Sequence, residues 1–252
     1  MIATLSMYDW PEHRAQTDAR WARLRDTLRA EGFDAPDRLT RADNPLETWL
    51  APDLLLGETC SHPLATVLAG RVRYVATPVH RAPGCGFGTY RSAIIRNGPE
   101  SDMPAPRRTL AARFEADAVA GRLAANSADS MSGIVALTRD LHARDMPLPA
   151  EDAVLWTGSH RASIRAVANG EADYATIDCV TWAIAKEHES AAKAVHVAGW
   201  TASRPGLPLI TSLGCDDEAL MRIRRAVLAA IPAVVLARPF EVSPRPDRRP
   251  AA

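Results

Sequence analysis

The 252-residue sequence predicts an α/β fold of two lobes, each a mainly parallel sheet flanked by helices, with a cleft between them. Three observations lead there. Short apolar runs bounded by turn residues alternate with longer segments of helical periodicity along most of the chain. The length, with 47% apolar residues, is enough to bury two cores of about a hundred residues each. A Pro-rich stretch at 99–106 interrupts the alternation, and there the chain is expected to cross between lobes.

Residues 3–8 read as a strand. Pro11 with Glu12 opens a helix that sets Trp21, Leu24 and Leu28 on one face before Gly32 ends it. Residues 53–57 form an apolar strand, Pro63 opens a helix running to Gly70, and 72–76 is strand again. The Gly- and Pro-rich loop 82–88 leads into an apolar strand at 90–96. Three strand–loop–helix units follow, with strands at 122–125, 153–156 and 173–177 and a helix at 134–142 after the first. The helix of the second unit turns Ile164 and Val167 inward and stops at Asn169-Gly170, a pair suited to a left-handed cap. Strands at 195–199 and 207–211 precede an acidic-started helix with Leu220, Ile223, Val227 and Ile231 at helical spacing. The expected lobes are 1–94 with 202–252, and 95–201, with a disordered Pro- and Arg-rich tail from Ser243.

The 30 basic residues balance 30 acidic ones, so no nucleic-acid or membrane-surface partner is expected and a charged ligand must be recognised locally. The longest apolar run, 226–237, is broken by Pro232 and falls short of the roughly 20 residues of a membrane span, so no membrane insertion is expected. The start lacks the basic, apolar and small-residue succession of a secretion signal. As written the chain is expected in the cytoplasm, and in the periplasm if its true start lies upstream or it is processed. Cys60, Cys85, Cys179 and Cys215 are widely spaced without a C-x-x-C pair, and are expected to be free thiols.

Ligands of open α/β sheets bind beyond the carboxyl ends of the strands, which directs attention to three polar loops. The first, Asn126-Ser127-Ala128-Asp129-Ser130-Met131-Ser132-Gly133, brings hydroxyls and unpaired N–H groups to a positive helix end suited to an oxyanion; helix capping alone also accounts for such serines. Thr157-Gly158-Ser159-His160 repeats the arrangement, with His160 as a neutral donor or a positive charge. The third supplies Asp178, either an N-cap or a carboxylate for an amino or hydroxyl group of the solute. In the N-terminal half Tyr8, Asp9, Thr59, Cys60 and Tyr90 fall at comparable strand ends or loops. No nucleophile, base and orienter set and no metal-ligand spacing emerges, so binding without a cofactor is expected rather than catalysis.

These loops, from Asp129 to Gly133 and from Thr157 to Ser163, together with Gly170-Glu171-Ala172-Asp173-Tyr174-Ala175-Thr176-Ile177-Asp178, resemble the phosphate, phosphite and phosphonate (PhnD-like) substrate-binding proteins of ABC transporters, a branch of the type 2 periplasmic-binding fold. The resemblance spans most of the chain. It implies an oxyanion held by Ser130, Ser132, Ser159 and His160, with Met131 and Thr157 in the same loops, an amine partner in Asp178, and Tyr90 as a closing aromatic. It also implies a monomer that delivers its solute to a permease. Glu58-Thr59-Cys60-Ser61-His62 departs from the aromatic and glycine wording of the family's second first-lobe loop, so the exact ligand is not inherited. The alternatives are a cytoplasmic enzyme on the same fold, with Cys60, His62 and His160 as reactive groups, or a cytoplasmic ligand sensor.

Overall fold

The computed structural model describes residues 1–237, so the tail expected from Ser243 lies outside the described residues. β1 (Ile2–Thr4) leads through the 3-10 turn Pro11–His13 into α1 (Arg14–Ala30), and α2 (Pro45–Trp49) precedes β2 (Leu54–Glu58), α3 (Ser61–Ala65) and β3 (Val72–Pro78). β4 (Thr89–Tyr90) and β5 (Ser92–Asn97) carry the chain into a second sheet with β6 (Leu123–Ala125), α4 (Ala136–Ala143), β7 (Val154–Trp156), α5 (His160–Ala168), β8 (Tyr174–Asp178), α6 (Cys179–His188) and β9 (Val195–Trp200). β10 (Arg204–Pro205), β11 (Leu209–Ser212), α7 (Asp217–Ala230) and β12 (Val234–Val235) return it. The sheet orders are β1-β2-β11-β3-β12 and β7-β6-β8-β5-β9, and β10 pairs with β4 where the two crossing segments meet.

The sheets are mixed rather than mainly parallel. β1 pairs in parallel with β2, and β6 with β7 and β8, whereas β5 runs antiparallel to β8 and β9, and β11 to β2 and β3. β5 and β11 arrive directly from the other sheet, without the helical crossover that returns a strand parallel to its predecessor; β12, which follows β11 through α7, is likewise antiparallel to β3. β5 belongs to the second sheet from Ser92, so a lobe boundary between 94 and 95 cuts a strand.

The Pro-rich stretch is not the crossing. It lies along β9, the outer strand of the second sheet: the Val197 N–H donates to Asp102 Oδ1 (2.8 Å), the Met103 N–H to the Val197 carbonyl (2.7 Å), and the Trp200 indole to the Met103 carbonyl (2.9 Å). Met103 provides the N–H that the prolines lack and covers an edge that would otherwise stand open.

Helical periodicity placed the cores well. Trp21, Leu24 and Leu28 of α1 and Leu220, Ile223 and Val227 of α7 pack into one buried cluster with Leu55, Leu56, Val75 and Leu209 of the first sheet. Each such side chain removed from water contributes about 1.5–3 kcal/mol. Ile164 and Val167 of α5 are fully buried against the second sheet. Three boundaries differ from the sequence reading. β1 ends at Thr4, and the chain turns away so that Tyr8 reaches toward the second sheet. α3 runs only from Ser61 to Ala65, because Thr66 takes φ −120° and ψ −98°, outside helical values. α4 begins at Ala136, after a π-helical turn Met131–Val135.

Candidate functional site

The π-helical turn is the least ordinary piece of local structure. Ser130 Oγ accepts the Gly133 N–H (3.0 Å), and the Val135 N–H reaches back five residues to the Ser130 carbonyl (3.1 Å). The carbonyls of the widened turn are taken by neighbouring strands: Ser92 Oγ donates to Ser132 O (2.8 Å) and Thr176 Oγ1 to Gly133 O (2.5 Å). Pinned in this way, the turn fixes the direction of Ser132. Gly133 has no room for a side chain, since a Cβ there would sit 1.8 Å from Asn126 Oδ1. Gly133→Ala is therefore expected to lower stability by about 1–3 kcal/mol in urea denaturation; an unchanged midpoint would show that Asn126 relocates without cost.

His160 opens α5 behind its N-cap, Ser159, whose Oγ accepts the Ala162 N–H (3.1 Å). Its Nε2 shares a 2.9 Å hydrogen bond with Ser132 Oγ, and its Nδ1 is buried without a partner. Burial pulls its pKa down to about 4, so the ring is neutral at pH 7. Asp178 caps α6, with Oδ1 accepting the Val180 and Thr181 N–H groups (2.7 and 3.0 Å), and it also lines the same cavity as His160. Oδ2 accepts the Tyr8 hydroxyl (3.1 Å), a bond between residues 170 apart that ties the turn after β1 to the second sheet. Burial pushes the Asp178 pKa up to about 6, outweighing these hydrogen bonds, and Glu58 adds to the rise.

A cavity of about 530 Å³ gathers these groups. Tyr8, Asp9 and Cys60 line it from the first sheet's loops, and Ser130, Ser132, Ser159, His160 and Asp178 from the second's. Asp9 is already paired with Arg41, whose Nε lies 2.5 Å and Nη2 3.2 Å from its carboxylate. Burial raises the pKa of the Cys60 thiol. The other expected residues stand back from the cavity. Thr59 is fully buried, and Met131 and Tyr90 lie in the core beneath. The Thr157 hydroxyl is turned to Ser163 Oγ (2.6 Å) and the Ala125 carbonyl (3.2 Å), tying its loop to the first turn of α5.

Sequence reasoning missed Trp10, Trp49 and Arg161, which also line the cavity, as does Asn126 at the head of the first polar loop. Arg161 forms a two-pronged ion pair with Glu12 (2.9 and 3.1 Å), reaches Glu189 at 2.6 Å, and lies 4.6 Å above the Trp10 ring. Although burial raises the Glu189 pKa, hydrogen bonds from Arg161 and Arg165 hold it down to about 2. The signal was present in the motif itself, where Arg161 follows His160, and in Trp10 and Glu12 at a helix start.

The family model of the ABC transporter, phosphonate, periplasmic substrate-binding protein matches residues 60–233. No curated protein matches the sequence. Among solved structures, PhnD1 from Prochlorococcus marinus in complex with methylphosphonate shares 12% identity at TM-score 0.62, covering 90% of this chain and 83% of its own. A binding protein component of an ABC phosphonate transporter from Pseudomonas aeruginosa shares 16% at TM-score 0.61, covering 89% and 72%. XAC2383 from Xanthomonas citri, bound to ATP, shares 16% at TM-score 0.59, covering 90% and 81%. At these identities the structural likeness is one of fold.

Proposed function

This chain belongs to the family of phosphonate periplasmic substrate-binding proteins of ABC transporters, and we propose that its own solute is a small phosphonate-class oxyanion taken into the cavity lined by both sheets. The family consists of substrate-binding proteins rather than enzymes; its members act with ABC transporter permeases and bind small anionic solutes.

The observation that carries the finer reading is the bond between Ser132 and His160, whose ring keeps an unpartnered buried nitrogen beside a cavity rimmed by the starts of α5, α6 and the π-helical turn. Helix starts present N–H groups and the positive end of the peptide dipole, so an anion is met by hydrogen bonds and dipoles. Arg161, the cation on the rim, is committed to Glu12 and Glu189. Asp178 favours solutes with a proton to give, because an ionised carboxylate only accepts hydrogen bonds. In this reading residues 1–91 and 206–237 move as one body and 92–201 as the other, and a monomer closes on the solute before delivering it to a permease.

Calorimetric titration with methylphosphonate, 2-aminoethylphosphonate, phosphate and sulfate tests the proposal. One-to-one binding of a phosphonate, at least tenfold tighter than sulfate, is expected. Silence toward both phosphonates and phosphate sinks it. Asp178→Asn is expected to narrow the margin over sulfate; an unchanged margin assigns Asp178 to the cap alone.

A further inference from the structure

Two of the cysteines that the sequence separates by 94 positions meet in the fold: Cys85 Sγ and Cys179 Sγ lie 3.4 Å apart. Both are reduced. Their closeness depends on the glycine-rich loop before β4. Gly84 takes φ +99°, and a Cβ on it would stand 2.8 Å from the Trp200 ring and 3.0 Å from Cys179 Cβ, so only glycine lets the loop press against the start of α6. The two thiols are unequally placed. Cys179 is 1% exposed, whereas Cys85 is half-buried and lines a separate cavity of about 540 Å³ together with the exposed Arg81 and Arg107; Arg91 also borders it, but its guanidinium is buried and taken by the Thr109, Ala111 and Thr201 carbonyls.

We infer that Cys85 and Cys179 form a reversible disulfide-forming site, loaded by a small anionic disulfide of the glutathione-disulfide class through the arginine-lined cavity. The chemistry is ordinary thiol–disulfide exchange. The Cys85 thiolate attacks one sulfur of the small disulfide, forming a mixed disulfide and releasing one thiolate. Cys179 then gives up its proton and attacks the Cys85 sulfur, breaking the mixed disulfide and releasing the second thiolate. In sum, two protein thiols are oxidised to one disulfide while the small disulfide is reduced to two thiols, which carry away both protons. The order of attack follows from access and from acidity. The hydrogen bond with Cys85, burial and the Asp178 carboxylate all push the Cys179 thiol up, so it is a poor first nucleophile but is held against the sulfur it must resolve. Closing from 3.4 Å to the bonded separation requires about 1.4 Å of movement.

The bond would join the segment leaving the first sheet to the residue directly after Asp178, at the start of α6. It would therefore constrain the crossing between the sheets, whatever the solute.

The test uses the full chain, treated with glutathione disulfide and then unfolded and alkylated. Fragment mass mapping is expected to show Cys60 and Cys215 alkylated and a cross-linked Cys85–Cys179 fragment 2 Da lighter than the reduced pair, reversed by excess reduced glutathione. In Cys85→Ser no cross-link forms and Cys179 is alkylated. The oxidised chain is expected to melt several degrees higher, because the cross-link closes a long loop in the unfolded state. Alkylation of all four cysteines, a mixed disulfide that persists on Cys85, or a lowered melting point would each overturn the inference; the last would mean that native packing resists closure.

Discussion

Asp178→Asn is expected to gain stability over the wild type as the pH rises from about 4 to about 6, by about 3 kcal/mol across that window. The buried carboxyl has a folded pKa of about 6 against an ordinary 3.8, so between these values the native state holds a proton that the unfolded chain releases. Wild-type stability from this group is therefore present below 3.8 and lost as the pH rises through 6. Asparagine carries no such penalty and caps a helix about as well. His160→Gln is expected to move the other way. Its imidazole is lowered from 6.5 to about 4, so the wild type is penalised in acid and relieved as the pH rises, and removing the ring takes that gain away, again by about 3 kcal/mol. In the wild type the two slopes oppose each other over nearly the same window and largely cancel. Other titrating groups are common to all three proteins and drop out of the differences. Urea denaturation at half-unit steps between pH 4 and 7 measures this. Curves for either variant that run parallel to the wild type would show that its group is not held in the environment described.

The parts of the fold legible in the sequence were those written in local periodicity. Trp21, Leu24 and Leu28, and again Leu220, Ile223 and Val227, announce buried helix faces, and both sets are buried. The serine loops and Asp178 were legible for a related reason: strand, turn and helix start stand together in sequence, so the strand end that faces a cleft is marked by its own turn. Direction was not legible. The run Ala93-Ile94-Ile95 is equally apolar whether β5 runs with or against its neighbours, and only the route of the crossing segment reverses it. Contacts across long separations were hidden too, including Tyr8 to Asp178 and Cys85 to Cys179, since nothing local in either partner names the other. Thr157 and Ser132 show the limit at the site itself. Both are hydroxyls in polar loops, but Thr157 is consumed by Ser163 while the widened turn offers Ser132 to His160.

That difference among hydroxyls sets the second large effect, on binding. Ser132→Ala is expected to weaken methylphosphonate binding about 10- to 100-fold, the range for a hydrogen bond to a charged group. The variant removes a donor and also leaves His160 Nε2 without its partner, so the ring loses the contact that orients it. Ser159 is placed differently. Its Oγ accepts the Ala162 N–H, and Ser159→Ala is expected to cost about 1 kcal/mol of stability through the lost cap, with a smaller change in affinity. Since Ser132 and His160 share one bond, their effects on binding are expected to be non-additive, with the Ser132→Ala, His160→Asn double variant losing clearly less than the two single losses combined. Calorimetry for affinity and urea denaturation for stability, run on the same preparations, separate the two roles. If Ser132→Ala costs stability but not affinity while Ser159→Ala does the reverse, the anion lies at the start of α5 alone and the Ser132–His160 pair is structural.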